Sequence, residues 1–456
     1  MTDTRETKTT EFWVSGTEEP DWPGPDYVAH ATDEGEQKMK LHETGDRLIE
    51  QLGTRIIDDV LYEEEEIDED DRMIINMGPQ HPSTHGVLRL QVELEGEIVR
   101  RVKPIIGYLH TGMEKTAETL TYMQGTTNVT RMDYLAPLHN ELCFSLAVEK
   151  LLNVEIPPRA QAIRILMTEM NRISSHLVAL ATNGMDVGAL SMMMYGFRER
   201  EMILAFFEKT TGLRMNHNYI RVGGVAADLP DGWQGDIEQF LETMPTRLAQ
   251  YDDLLRSNPI WLRRTRDVGV MTAEECLAFS ITGPSLRATG LAHDLRKAAP
   301  YSGIEQYEFD IPVGDRGDSY DRYRVKVREI EESLKIIKQV LETMPRGDYK
   351  VEDRKVTPPP RKRIDESMEA LIHHFKIYTE GFKVPEGEVY VGIESPRGEL
   401  GCYIVSDGGS KPLRMHTRAP SFANIQAIPI MLADSLVADT IAALASLDPV
   451  MGDVDR

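Results

Sequence analysis

Two histidines stand four residues apart in the stretch Gly78-Pro79-Gln80-His81-Pro82-Ser83-Thr84-His85-Gly86. On a continuous helix that spacing would put both imidazoles on one face and aim them at one metal ion. Pro82 disfavours helix for the residue before it, and Gly86 breaks the chain after His85, so a helical zinc pair is rejected on geometry. What remains is a loop feeding a strand, either a site loop on a rigid scaffold or a structural turn.

Two further positions have side chains suited to proton chemistry. In residues 126–152, Asp133 reads as an early-turn acid of a helix running to about Leu152, with Leu135, Leu138, Leu142 and Leu146 on its apolar side. Tyr134 then lies at the helix N-terminus, where its hydroxyl is either a proton donor to a ligand or a capped structural group. In Asn183-Gly184-Met185-Asp186-Val187-Gly188, directly after a helix, Asp186 sits among apolar neighbours. A carboxylate there needs a partner, and a histidine is the partner that would give it chemical use; otherwise it organises the turn.

The elements that must hold these residues are visible as periodicities. Leu88, Leu90, Val92 and Leu94 alternate with Arg89, Gln91, Glu93 and Glu95, the period of a half-buried strand, and Glu95-Gly96-Glu97 turns it into a second apolar segment, 98–106. Pro157-Pro158 starts a helix carried by Ile163, Leu166, Met167, Met170, Ile173, Leu177 and Leu180. Tyr323, Val327, Ile330, Leu334, Ile337, Leu341 and Met344 step by four and three until Pro345. The connector Val356-Thr357-Pro358-Pro359-Pro360 leads to a helical pattern through Met368, Leu371, Ile372 and Phe375. Two strands around Ser395-Pro396-Arg397-Gly398 precede a last helix.

These patterns predict a mainly α fold with α+β parts. They divide into an acidic, extended or partner-draped arm (1–71), an N-terminal α+β part (72–130), a central helix bundle (131–385) and a C-terminal β unit with a final helix (386–456). The arm ends in the run Glu63 to Asp71, whose composition cannot bury enough apolar surface to offset ordering.

A net charge of -24 argues against nucleic-acid partners. The three cysteines, Cys143, Cys276 and Cys402, form no CxxC pair, which argues against a disulfide framework, a zinc ribbon or a self-contained iron-sulfur cluster. No metal is expected on this chain. The apolar run 427–447 contains Pro429, Asp434 and Asp439, so no transmembrane helix is expected, and no targeting segment is visible at the N-terminus.

Eight motifs in order, "GPQHPSTHGVLRL", "IGYLHTGMEK", "TRMDYL", "NYIRVGGV", "PYSGIEQYEFDIPVGDRGD", "EGEVYVGIESPRGELGCYIVSDGGSKPLR", "RAPSFANIQA" and "SLDPVMGDVDR", resemble the D-subunit family of proton-translocating NADH-quinone oxidoreductase, respiratory complex I, whose eukaryotic members are 49-kilodalton subunits. The family is similar to the large subunits of nickel-iron hydrogenases. Those hold metal on two CxxC pairs, whereas here residues 106–115 carry no cysteine, and Val450 and Asp453 stand where a C-terminal DPCxxC has thiolates.

The resemblance implies a quinone site where His85 and Tyr134 donate to the two carbonyls and Asp186 pairs with His85; His81 takes no catalytic role. It implies an adjacent [4Fe-4S] cluster held by the iron-sulfur B subunit, further contacts with the C subunit, other peripheral-arm subunits and membrane-arm subunits, and a peripheral position on the cytoplasmic side of a bacterial plasma membrane. Many members carry two histidines where this chain has Asn216-His217. An asparagine cannot gain a proton, so menaquinone is favoured over ubiquinone as substrate. The competing readings are a hydrogenase-like large subunit, which would need the absent CxxC pairs, and a non-catalytic helical scaffold.

Overall fold

The computed structural model describes residues 72–81 and 86–456. The expected arm and His85 lie outside the described residues.

The N-terminal sheet has the order β1-β2-β3-β7, with β1 Arg72–Met77, β2 Arg89–Glu95, β3 Ile98–Ile105 and β7 Ser435–Leu436, all antiparallel. Leu90, Val92 and Leu94 face inward as their alternation requires, and Leu88 just before the strand is buried with them. Each such side chain contributes roughly 2 kcal/mol of apolar burial. Glu95 pairs with Ile98 across a two-residue turn in which Gly96 takes φ 63°, a left-handed conformation open to glycine.

The central bundle is built on α1 Pro137–Leu152, α2 Pro158–Asp186, α3 Leu190–Thr211, α4 Trp233–Leu255 and α5 Ser319–Thr343. Pro158 opens α2 with a residue whose missing N–H is not needed there. The helix runs past Asn183, beyond its apolar periodicity. Gly184 explains this: a Cβ there would lie 2.8 Å from Met192 Cβ, so its bare surface lets α3 pack closely against the last turn. Asp186 is therefore the final residue of α2, within the helix and not after it.

Charged side chains are sealed among the apolar residues where α2 meets α5. Glu169, Arg172 and His176 of α2 and Glu329 and Ser333 of α5 are all buried. Arg287 donates to Glu329 Oε1 (Nη2, 2.7 Å) and Glu394 Oε1 (Nη1, 2.7 Å), His176 Nε2 lies 2.8 Å from Glu329 Oε2, and Ser333 donates to Glu169 at 2.7 Å. Arg296 bridges Asp294 and Glu169. Each ion is compensated by another and by hydrogen bonds, the condition under which buried charge is tolerated.

In the C-terminal sheet, of order β4-β5-β6 (Gly387–Ser395, Gly398–Ser406 and Arg414–Arg418), the first two strands pair without a slip from Gly387↔Ser406 to Ser395↔Gly398. The connector then gives α6 Met368–Thr379, as its pattern predicts, but Met368, Leu371 and Phe375 are exposed rather than turned into the core. The apolar run 427–447 is not one helix. Asp434 takes φ 59° and Ser435–Leu436 pairs with β3, so the run splits into a short helix, Ile428–Leu432, and α7 Val437–Leu447. Among the described residues no helix is long and apolar enough to cross a membrane. The chain ends in α8, Met451–Asp455, whose residues are all buried.

The charged seam carries a prediction. Burial pushes the Glu329 carboxyl up, but Arg287 and then His176 outweigh it and hold it down at about 2. A depressed carboxyl contributes stability above its ordinary value of about 4.5, lost as pH falls toward 2. Arg287→Met should leave Glu329 and Glu394 facing one another, cost about 3–5 kcal/mol, and lower the melting temperature or recovery of the assembled subunit.

Candidate functional site

Tyr134 sits in the turn between the helix Tyr122–Val129 and α1. The expected helix start at Asp133 is corrected: α1 begins at Pro137, because Asp133 closes a local turn instead, its Oδ1 accepting the N–H groups of Leu135 and Ala136 at 3.1 Å each. This is the competition by which short polar side chains displace helix. The second oxygen, Oδ2, accepts from Arg397 Nη1 at 2.8 Å.

Beneath the phenol ring lies Gly452 of α8. A Cβ at that position would lie 3.1 Å from Tyr134 Cδ1 and Cε1 and 2.4 Å from the Met132 carbonyl. Only a glycine lets the turn rest there. The ring's other side is open, leaving Tyr134 36 % exposed on an otherwise buried floor. Burial pushes its phenol up, Arg397 pulls it down, and Asp133 and Asp448 push it up again.

The loop expected to carry the quinone ligand re-enters the described chain at Gly86, where a Cβ would lie 3.8 Å from Met451 Cγ. Met451 precedes Gly452, so Gly86 and Tyr134 meet consecutive residues of α8. Asp186, half-buried at the end of α2, is followed by Val187, which packs on the apolar cluster that holds Leu88, Met451 and Val454. Two of the segments singled out by sequence, at Gly86 and at Tyr134, thus meet at α8. His81 is exposed beyond the bend at Pro79-Gln80.

Residues to which spacing assigns no role surround the same helix. Arg397, at the two-residue turn between β4 and β5, also donates through Nε to the Asp448 carbonyl (2.8 Å) and through Nη1 to Ser175 Oγ of α2 (3.1 Å), with Nη2 3.0 Å from Asp448 Oδ2. Asp453 accepts from Ser421 N at 3.0 Å while its Oδ1 is buried without a partner. Asp455 accepts from the N–H groups of Gly107 (2.8 Å) and Leu109 (2.7 Å), tying the 107–110 loop to the terminus. The signal for them in the sequence is an arginine at a strand-to-strand turn and a set of acids in the last nine residues, with no spacing rule to link the two.

The cysteines lie outside this site. Cys143 Sγ donates to the carbonyls of Val391 (3.5 Å) and Leu400 (3.4 Å), and burial pushes the Cys276 and Cys402 thiols up to about 12. Burial thus holds all three as thiols. Among the described residues no group of three or more His, Cys, Asp or Glu could hold a metal ion.

The Asn216-His217 pair lies on a loop pinned by Glu141 of α1, which accepts the N–H groups of Asn218 (2.5 Å), Tyr219 (2.8 Å) and Ile220 (2.8 Å). Burial lowers His217 to about 4, its Nδ1 3.0 Å from the Leu213 carbonyl. Near neutral pH neither member of the pair carries charge.

A family model described as respiratory-chain NADH dehydrogenase, 49 Kd subunit, matches residues 186–456. The chain belongs to this 49-kilodalton subunit family. It is 57 % identical over 387 residues to the second D subunit of the NADH-quinone oxidoreductases of Chloroflexus aurantiacus, covering 84 % of this chain and 94 % of that protein. It is 56 % identical over 405 residues to the first D subunit of Salinispora tropica (85 % and 92 % covered) and 54 % identical over 404 residues to the D subunit of Mycolicibacterium smegmatis (85 % and 91 %). Membership of the 49-kilodalton family makes the chain a subunit of a respiratory NADH dehydrogenase.

Asp453 generates the site's pH prediction. Burial, and next Asp133, push its carboxyl from 3.8 to about 6. With the folded value raised, its contribution to stability is full below 3.8 and is lost as pH rises through 6. Asp453→Asn should therefore stabilise the protein more at pH 7.5 than at pH 5, by about 1–2 kcal/mol, read as a larger rise in melting temperature at the higher pH. Equal shifts at both pH values would contradict this.

Proposed function

We propose that this chain is the quinone-site subunit of its respiratory NADH dehydrogenase, with Tyr134 and His85 as the hydrogen-bond donors to the two quinone carbonyls and Asp186 as the carboxylate partner of His85. The observation that carries the reading is the partly exposed Tyr134, braced on Gly452 of a buried helix whose neighbouring Met451 meets Gly86, the residue next to His85 in sequence. A phenol held firmly at one edge and open at the other suits a donor aimed at a ligand.

Reduction of a quinone to a quinol takes two electrons and two protons. The electrons come from a [4Fe-4S] cluster held by the iron-sulfur B subunit, which docks against this chain; the C subunit and the other peripheral-arm subunits complete the soluble arm, seated on membrane-arm subunits at the cytoplasmic face. This chain's part is to bind, orient and protonate. Two donors at opposite carbonyls stabilise the negative charge that develops on oxygen. A carboxylate beside His85 favours the imidazolium, and loss of its proton changes the charge felt by Asp186, which begins the coupling to proton translocation.

Tyr134→Phe removes one donor and should lower quinone-reductase kcat by about 10²–10³-fold while leaving electron transfer from NADH to ferricyanide intact. A wild-type quinone rate in that variant would favour a helical scaffold without catalytic role. The uncharged Asn216-His217 pair supports menaquinone as substrate, since a cluster whose reduced state gains no proton sits at lower potential. Its midpoint should vary little between pH 6 and 8, by much less than the roughly 59 mV per pH unit of a one-proton couple. Asn216→His should introduce a pH dependence, and a steep slope in the wild type would remove the argument.

A further inference from the structure

Tyr134 is fixed by two surfaces, the turn to which it belongs and the floor beneath it, and both depend on the same guanidinium. The turn is tied to Arg397 through Asp133, at 2.8 Å. The floor, Gly452, belongs to α8, and the segment leading into α8 is tied to Arg397 through the carbonyl of Asp448 at 2.8 Å and its carboxylate at 3.0 Å. A third anchor, Ser175 of α2 at 3.1 Å, fixes Arg397 to the bundle. Nη2 also lies 3.0 Å from Asp448 Oδ2, so the same carboxylate compensates the guanidinium charge on that edge.

We propose that Arg397 is a positioning residue for quinone reduction, holding the Tyr134 ring in place and stabilising the phenolate left when Tyr134 gives up its proton. The proposal rests on the quinone-site reading of Tyr134. In the step itself the Tyr134 O–H bond breaks, the proton passes to a quinone oxygen that has received electrons through the partner subunit, and the bonding pair stays on the phenolate oxygen. The phenolate then regains a proton from water at the open edge of the ring. An arginine suits this role better than a lysine, because its fork reaches Asp133, Asp448 and Ser175 at once and stays charged at any working pH.

The charged and titratable groups facing Arg397 come from three parts of the chain: Asp133 and Tyr134 from the turn, Asp448 and Asp453 from the terminus, and Lys326 from α5, whose ammonium donates to the Ser446 carbonyl at 3.1 Å. Arg397 draws the Tyr134 phenol down and Asp448 pushes it up. Removing either should therefore move the phenol in opposite directions, which a purely structural brace would not do.

The test uses the assembled membrane enzyme carrying Arg397→Lys, Arg397→Gln and Asp448→Asn, each alone and combined with Tyr134→Phe, with ferricyanide reduction reporting intact assembly. Arg397→Lys should lower quinone-reductase kcat by about tenfold with a smaller change in KM. In the Tyr134→Phe background the same substitution should change kcat by less than about twofold, because the two residues act as one unit. Arg397→Gln should move the alkaline limb of the quinone-reductase pH profile to higher pH, and Asp448→Asn should move it to lower pH.

Additive effects with an unmoved alkaline limb would overturn the proposal, as would wild-type rates in both Arg397 variants. If the Arg397 variants fail to assemble, the Asp448→Asn limb decides alone: a shift to lower pH supports the proposal and a fixed limb defeats it. Full quinone activity in Tyr134→Phe would defeat the reading of the site itself, an outcome separate from one in which Tyr134 matters and Arg397 does not.

Discussion

A single buried guanidinium, that of Arg397, joins the parts of the chain that meet at the site. It projects from the turn of the C-terminal sheet and binds the Tyr134 turn, the middle of α2 and the segment before the terminal helix. Removing an arginine from water is costly, and the cost is offset only when its donors are met by charged or polar acceptors in good geometry. Asp133 and Asp448 provide that compensation, and both lie in loops that an apolar core alone would leave loosely specified. The ion cluster gives these loops a defined geometry that dispersion and burial, being non-directional, could not impose.

Apolar burial and directional charge thus divide the structure between them. Long helices with wide apolar stripes, α2 and α5, bring the bundle together, and Gly184 lets α3 cross α2 at close range. Charge then fixes what burial leaves free. Glu141 holds the loop of Asn216, Glu149 pairs with Arg164 at 2.6 Å between α1 and α2, and the Arg287 seam sets the contact of α2 with α5. The terminal helix is enclosed on all sides, so the last residues of the chain act as the floor of the site.

Much of this was legible in the sequence because it rests on period. The strand at Leu88 to Leu94, the start of α2 at the proline pair, the α5 stripe and the C-terminal hairpin each follow from spacing alone, since a strand or helix that buries one face repeats its apolar residues at 2 or 3.6. The same signal misjudged features where tertiary contacts override local pattern. Asp133 closes a turn instead of opening a helix, because its carboxylate is shared with an arginine from the far C-terminal sheet. The run 427–447 breaks because Ser435–Leu436 adds a strand to the N-terminal sheet. The α6 pattern gave the helix, whose apolar face is uncovered in the structure, and amphipathicity does not say what covers a face.

The site shows the same limit from the chemical side. Tyr134 and Asp186 could be singled out from their types and neighbours, but nothing in their spacing reveals that α8 lies beneath Tyr134. Three acids and an arginine, Asp133, Asp448, Asp453 and Arg397, are indistinguishable in sequence from the many surface charges of an acidic chain. Folding gives them meaning: three carboxylates around one guanidinium leave an excess of negative charge in a dry setting, and Asp453 answers by holding its proton to about 6. A cluster so balanced responds to any change of charge at Tyr134, because proximity and low polarisability make each group's protonation depend on the others. That responsiveness, set beside a partly exposed phenol, suits Tyr134 to the proton donation proposed for it.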